Sequence, residues 1–235
     1  MKILVTAGNT QVPIDRVRCI TSVFSGRTGT GLARHAYERG HDVTLLTSHP
    51  ELVEKLDDEV ACLLFRTFDD LEKLMEQKIV NMRFDAIICC AAVSDFRVAG
   101  VYAPPQGTHF AAEDGIPFLS PRTAAKVSSG EPELWLRLLP TPKLIDRVRR
   151  DWGFQGQLVK FKLEADLSLA RLVEVAEQSR RHSQADWMVA NLYDGSLSSF
   201  FLGPLSAGYE KVARRDLPAR LFDLLEARHG ELSHG

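Results

Sequence analysis

Residues 2–10 read KILVTAGNT, and the reading of this stretch decides the fold. KILVT is a short apolar run rich in β-branched side chains, the pattern of a strand buried on both faces, and Ala7-Gly8-Asn9 ends it in a turn. Residues 26–39 then place Leu32, Ala33, Ala36 and Tyr37 at helical spacing, with Gly40 standing where a helix C-terminus favours glycine. Residues 42–47 (DVTLLT) return to a buried strand, 71–80 read as a helix, and 84–90 (FDAIICC) form a third strand running into AAVSDF. Strand–helix alternation with continuously apolar strands predicts an α/β protein, a Rossmann-like, mostly parallel sheet with helices on both faces.

Outward from this core the pattern changes. Between residues 98 and 122, Pro104, Pro105, Gly107, Pro117 and Pro121 interrupt every period. Residues 98–133 are therefore expected to be a flap or excursion inserted in the second half of a single domain spanning 1–235. Regular structure is predicted to resume with a strand at 134–139, a helix at 141–150 and a strand at 158–161. A helix at 167–181, a buried strand at 187–190, a last, edge-like strand at 198–202 and a closing amphipathic helix at 217–228 follow.

Composition narrows the function. Hydrophobic residues at 45% and charged residues at 26% are those of an ordinary globular protein, and a formal charge of −2 supplies no basic field for nucleic acid or a membrane surface. No run approaches the roughly 18 apolar residues that a spanning helix needs. The N-terminal apolar run is too short for a leader peptide and reads as the first strand, so a cytoplasmic location is expected. Cys19, Cys62, Cys89 and Cys90 form no CxxC pair and are expected to be reduced thiols. No group of histidines has metal-ligand spacing, and no resident metal site is assigned.

Four segments carry residues suited to chemistry. The loop after the first strand, with Gly8 and Thr10, is followed by GRTGTG, where Gly26, Gly29 and Gly31 would let backbone approach a phosphate at a helix N-terminus. The competing reading is that these glycines only allow close helix–sheet contact. Their G-x-x-G-x-G spacing, some twenty residues after the strand, differs from a dinucleotide fingerprint and disfavours an NAD(P)-dependent reductase of Rossmann type. In PIDRVR, Arg16 and Arg18 could hold phosphate or carboxylate, or be plain surface arginines. Asp95 in AAVSDF lies at the strand edge where such sheets bind ligands; it could accept from a base or sugar, help hold Mg2+, or cap the next segment. Lys126 follows the excursion and suits charge neutralisation on a flap, against a solvated alternative. Asn191 in VANLYD could donate to phosphate or carbonyl oxygen, or form an Asx turn.

Taken in order, VTAGNTQVPIDRVR, FSGRTG, AAVSDF, AAKVSSG, KFKLEAD and VANLYD resemble the phosphopantothenate–cysteine ligases, also called phosphopantothenoylcysteine synthetases, in their monofunctional form. The resemblance runs from Lys2 to about Asp194. It implies a ligase of coenzyme A biosynthesis that joins 4′-phosphopantothenate to cysteine through an acyl-nucleotide intermediate, with CTP or ATP as co-substrate and Mg2+, in a cytoplasmic homodimer. By motif position it implies that Gly8, Thr10, Ser25, Gly26 and Gly29 lie by the nucleotide phosphates and that Ala91, Ala92 and Asp95 shape the nucleotide pocket. Phe161 would touch base or ribose, Asn191 the phosphopantothenate end and Arg18 the acyl intermediate, and Lys126 stands at the first lysine of the flap motif. Three departures stand out: Asn9 replaces the second glycine of the usual A-G-G-T, Phe24-Ser25-Gly26 replaces S-S-G, and Ser22 replaces an asparagine associated with handling the acyl-nucleotide. These departures leave a ligase-like paralogue that binds without ordinary turnover as the alternative.

Overall fold

The structure, a computed structural model, describes residues 1–53, 60–104, 119–122, 126–131, 133–193 and 199–233. The chain starts with β1 (Lys2–Ala7), makes a small hairpin of β2 (Gln11–Pro13) and β3 (Cys19–Thr21), and enters α1 (Arg27–Glu38). Then come β4 (Asp42–Thr47), the short α2 (Pro50–Val53), β5 (Ala61–Leu64), α3 (Phe68–Asn81) and β6 (Ala86–Cys89). β7 (Phe96–Ala103), β8 (Ser120–Pro121) and β9 (Trp135–Pro140) form a separate antiparallel sheet in the order β8-β7-β9. The chain continues with α4 (Leu144–Arg150), β10 (Gln157–Glu164), α5 (Leu169–His182), β11 (Trp187–Leu192), β12 (Ser199–Leu205), β13 (Gly208–Ala213) and α6 (Leu217–Ser233).

The main sheet has eight strands in the order β13-β12-β11-β10-β6-β1-β4-β5. Every pairing from β5 to β11 is parallel, and β12 and β13 close one side antiparallel. Side-chain alternation along the strands assigns the two faces. Ile3, Val5 and Ala7 of β1 join Leu32, Ala33 and Ala36 of α1 and Leu221, Phe222 and Leu225 of α6 in one core. Leu4 instead joins Leu71, Met75 and Ile79 of α3 and Leu144 and Val148 of α4 in the other. Leu32 and Phe222 are fully buried, a contribution of about 2 kcal/mol each before entropy is counted. The helix α3 opens on a reciprocal cap between Thr67 and Asp70, and Gly40, at φ +82, lets the chain leave α1 for β4. Among the described residues no helix is long and apolar enough to cross a membrane.

The α/β sheet expected from the sequence is the one observed, with β5 and α2 added between β4 and α3 and with several local differences. Residues 96–103 lie in a strand and not in irregular chain, and the middle of the expected excursion, 105–118 with Pro105, Gly107 and Pro117, lies outside the described residues. The β7 strand escapes periodicity because its register shifts between Val98 and Gly100 and it is half exposed. The strand expected at 198–202 is neither last nor at the edge: β13 follows and pairs outside it, and Ser198 is outside the described residues. Gln11–Pro13 and Cys19–Thr21 form a hairpin where a loop was expected, because pairing them requires only three residues a side.

Candidate functional site

β4 and β6 flank β1 on opposite sides, so the connections leaving β1 and β6 diverge and open a crevice at the strands' C-terminal ends, the usual ligand position in such sheets. A cleft of about 630 Å3 lies there. Its floor is stitched from two loops. Thr10 N donates to Ala92 O at 3.1 Å and Ala92 N to Gly8 O at 2.8 Å, while Ser94 N donates to Thr10 Oγ1 at 2.8 Å and the Thr10 hydroxyl to Ser94 Oγ at 2.9 Å.

One arm of the cleft lies on the α1 face. Gly26 stands at the uncapped N-terminus of α1 with φ +75, no acid occupies the first turn, and Ser25, Arg27, Thr28 and Gly29 continue the wall. A Cβ on Gly26 would sit 2.5 Å from Gly8 N, and one on Gly29 would sit 2.7 Å from Ala7 Cβ. Gly29 therefore answers to close helix–strand contact, whereas Gly26 joins two loops and also leaves helix N–H groups free to meet an anion. Arg214, from the β13–α6 connection, donates to Thr28 Oγ1 at 3.2 Å and adds a cation beside them. Phe161 and Phe200 meet edge to face at 6.4 Å, Phe24 and Tyr193 at 6.1 Å, and the buried Asn191 completes this arm.

The other arm lies on the α3–α4 face and is more polar. Lys160 donates to Ser179 O at 3.0 Å and to Ser183 Oγ. The Ser183 hydroxyl donates to Asp146 Oδ1 at 2.6 Å, and His182 Nε2 lies 3.2 Å from Asp146 Oδ2. Burial pushes the Lys160 ammonium below the usual lysine range, with Asp146 opposing it. Burial also raises the Cys89 and Cys90 thiols to about 12, so neither is a nucleophile near neutral pH. At the rim, Lys143 pairs with Asp95.

The cleft brings together Gly8, Ser25, Gly26, Gly29, Ala91, Ala92, Asp95, Phe161 and Asn191. Four other candidates lie off its wall. Thr10 is fully buried and holds Ser94. The Arg18 guanidinium is bound to Asp15 at 2.6 Å and to Val127 O at 2.8 Å. The Ser22 hydroxyl is buried without a partner, and Lys126 is exposed beside the Arg18 contact. Lys160, Asp146, His182 and Arg214 were not singled out from the sequence. For Lys160 a signal existed, since alternation in VKFKLE sets it on the face opposite Phe161. The other three are brought in by tertiary packing alone. Among the described residues no three His, Cys, Asp or Glu converge as metal ligands.

Residues 1–104 match the DNA/pantothenate metabolism flavoprotein C-terminal domain family. The coenzyme A biosynthesis bifunctional protein CoaBC of Thermococcus kodakarensis is 30% identical over 230 residues, covering 96% of this chain and 51% of that protein. The chain thus spans about half the length of that relative. The crystal structure of the DNA/pantothenate metabolism flavoprotein from Streptococcus pneumoniae superposes with a TM-score of 0.80 at 25% identity, covering 97% of this chain and all of that one. A Cab2 H337A variant in complex with phosphopantothenate-cysteine shares the fold, with a TM-score of 0.68 at 20% identity over 99% of this chain and 87% of that one. Residues 1–104 are thus similar to the DNA/pantothenate metabolism flavoprotein C-terminal domain, and the whole chain, with the cleft at its switch point, shares the fold of these structures.

Proposed function

We propose that the chain ligates 4′-phosphopantothenate to L-cysteine in coenzyme A synthesis, using CTP or ATP, in the cytoplasm. The observation that carries the reading is one continuous cleft across the switch point, with an aromatic arm and a polar arm meeting over small residues. The match of residues 1–104 to that domain family and the similarity to the CoaBC relative support the choice of reaction. The phosphopantothenate carboxylate attacks the α-phosphorus of the triphosphate and expels pyrophosphate. The cysteine amine then attacks the acyl carbon and expels the nucleoside monophosphate. No covalent bond to the protein is needed, so the chain contributes by position and charge. Gly8, Ser25, Gly26 and Gly29 would line the phosphates, with the α1 N-terminus and Arg214 opposing their charge. Ala91, Ala92 and Asp95 would shape the nucleotide pocket, with Asp95 paired to Lys143 at the rim, while Phe161 would contact base or ribose and Asn191 the phosphopantothenate end. Thr10 acts from behind by fixing Ser94.

Magnesium would enter with the triphosphate as its counter-ion. Arg18, Ser22 and Lys126 stand off the cleft wall of their own chain. In a homodimer, a partner's Lys126 segment would complete the site. Partly exposed apolar side chains on the two small sheets, Ile20 at 39%, Phe96 at 49% and Leu138 at 43%, favour that assembly. The test is pyrophosphate release with 4′-phosphopantothenate, Mg2+ and either CTP or ATP, with and without cysteine. Release that requires phosphopantothenate upholds the reading, and the faster triphosphate names the nucleotide. Folded protein that binds both substrates without release favours the paralogue instead, with the buried Ser22 hydroxyl the first residue to examine.

A further inference from the structure

Asn9 replaces a glycine, yet it is only 8% exposed and each polar group of its side chain is used. Nδ2 donates to Ser22 O at 2.6 Å and to Thr21 Oγ1 at 3.0 Å. Because a carbonyl can only accept, the Ser22 contact fixes which end of the amide is nitrogen. Oδ1 therefore faces the other way, where it accepts from Ser48 Oγ at 3.1 Å and from His49 Nε2 at 3.0 Å. The backbone N–H of Asn9 returns to Ser48 Oγ at 2.9 Å. Behind it, His49 Nδ1 meets Glu51 Oε1 at 2.7 Å, and the imidazole lies against Gly8, where an added Cβ would be 3.1 Å from His49 Cδ2. Thr21 Oγ1 passes the chain of bonds on to Thr10 O at 3.0 Å, in the floor of the cleft.

Asn9 thus joins three segments: the turn after β1, the end of β4 with α2, and the strand end at Thr21-Ser22 that leads into Val23–Gly26. We propose that Asn9, oriented by Ser48 and by His49 with Glu51 behind it, is a positioning residue that sets the Ser22–Gly26 loop against Gly8. Asn9 is not among the residues lining the cleft. It acts through the Ser22 carbonyl, which carries Phe24, Ser25 and Gly26 into the wall. The catalytic half of this inference rests on the ligation reading above; the positional half does not.

The experiment compares Asn9→Ala, His49→Ala and His49→Gln with the unaltered protein by hydrogen exchange of the segment 19–28, by kcat and KM, and by Tm. Glutamine can offer an N–H to Asn9 Oδ1, as the imidazole does, whereas alanine cannot. Asn9→Ala and His49→Ala are expected to speed exchange at residues 22–26 and to lower kcat by about 10- to 100-fold, the usual cost of a small misplacement. KM should change much less, and His49→Gln should recover most of both losses. Unchanged exchange in Asn9→Ala overturns the inference. So does a His49→Gln protein as impaired as His49→Ala, or a loss of kcat that merely follows Tm. If the unaltered protein releases no pyrophosphate but the exchange results hold, the ligation reading fails and the positioning role stands.

Discussion

Two glycines two residues apart in α1 should respond unequally to the same substitution. At Gly31 a Cβ would meet nothing within 4 Å, so Gly31→Ala gains helix propensity alone, about 0.8–1 kcal/mol. At Gly29 the same gain is set against a methyl 2.7 Å from Ala7 Cβ and 3.1 Å from Ala7 Cα, a backbone atom of a central strand that cannot move aside. Overpacking of this kind costs about 1–3 kcal/mol. Gly29→Ala should therefore lie between neutral and about 2 kcal/mol less stable than the unaltered protein, and about 1–3 kcal/mol below Gly31→Ala. At roughly 2–4 °C of Tm per kcal/mol for a domain of this size, the two variants should differ measurably. Urea unfolding monitored by tryptophan fluorescence, with equal m-values, reads the difference. Equal stability of the two variants would refute the close helix–strand contact and leave phosphate approach as the sole explanation of Gly29.

Asp15 is shielded from solvent and holds the hairpin to the segment at Val127, and Arg18, first among its partners, keeps its carboxyl far below the usual range. Because its folded value lies below the unfolded one, its contribution is complete above the ordinary carboxylate range and lost as pH falls through the folded value. Asp15→Asn should thus flatten the acid limb of a stability–pH curve and speed hydrogen exchange at Val127. Asp186 receives Arg149 at 2.6 Å, Arg228 at 2.7 Å and Leu158 N at 2.8 Å. Its removal by Asp186→Ala leaves the half-buried Arg149 uncompensated and should cost about 3–5 kcal/mol in denaturant unfolding. With a soluble alkylating reagent at neutral pH, the exposed Cys19 should be labelled long before Cys89 or Cys90, whose thiols are pushed up to about 12. Mass spectrometry of peptides reads the order, and early labelling of Cys89 would contradict its raised thiol pKa.

The parallel core was legible because its strands are buried on both faces and advertise themselves as unbroken apolar runs: KILVT, DVTLLT and AIIC each read as strand without knowledge of a partner. The α1 boundary was legible for a different reason, glycine at a turn that only positive φ can make. The β2–β3 hairpin and β7 were not, since their side chains are mostly exposed, and β7 in addition depends on partners far along the chain, as in the Phe96 to Pro140 pairing. The cleft shows the same division. Its glycines and the AAVSDF turn announce themselves as motifs, whereas Lys160, Asp146 and His182 acquire meaning only when β10, α4 and α5 are folded side by side. Arg18 has the chemistry of a ligand-binding arginine, but Asp15, three residues before it in the same turn, claims its guanidinium.

The strand order has a consequence for how this protein can be built. β1 pairs with β6 across more than eighty residues, as in Ile3 with Ala86, and β6 pairs in turn with β10 through Ala86 and Gln157. No contiguous fragment contains a floor, both arms and the helices that back them. Closing those long loops before any central strand is covered makes folding slow, and partly assembled forms expose apolar strand faces. Ligand binding is then a report on completion of the whole domain, and damage anywhere along the sheet should reach the cleft as readily as damage within it.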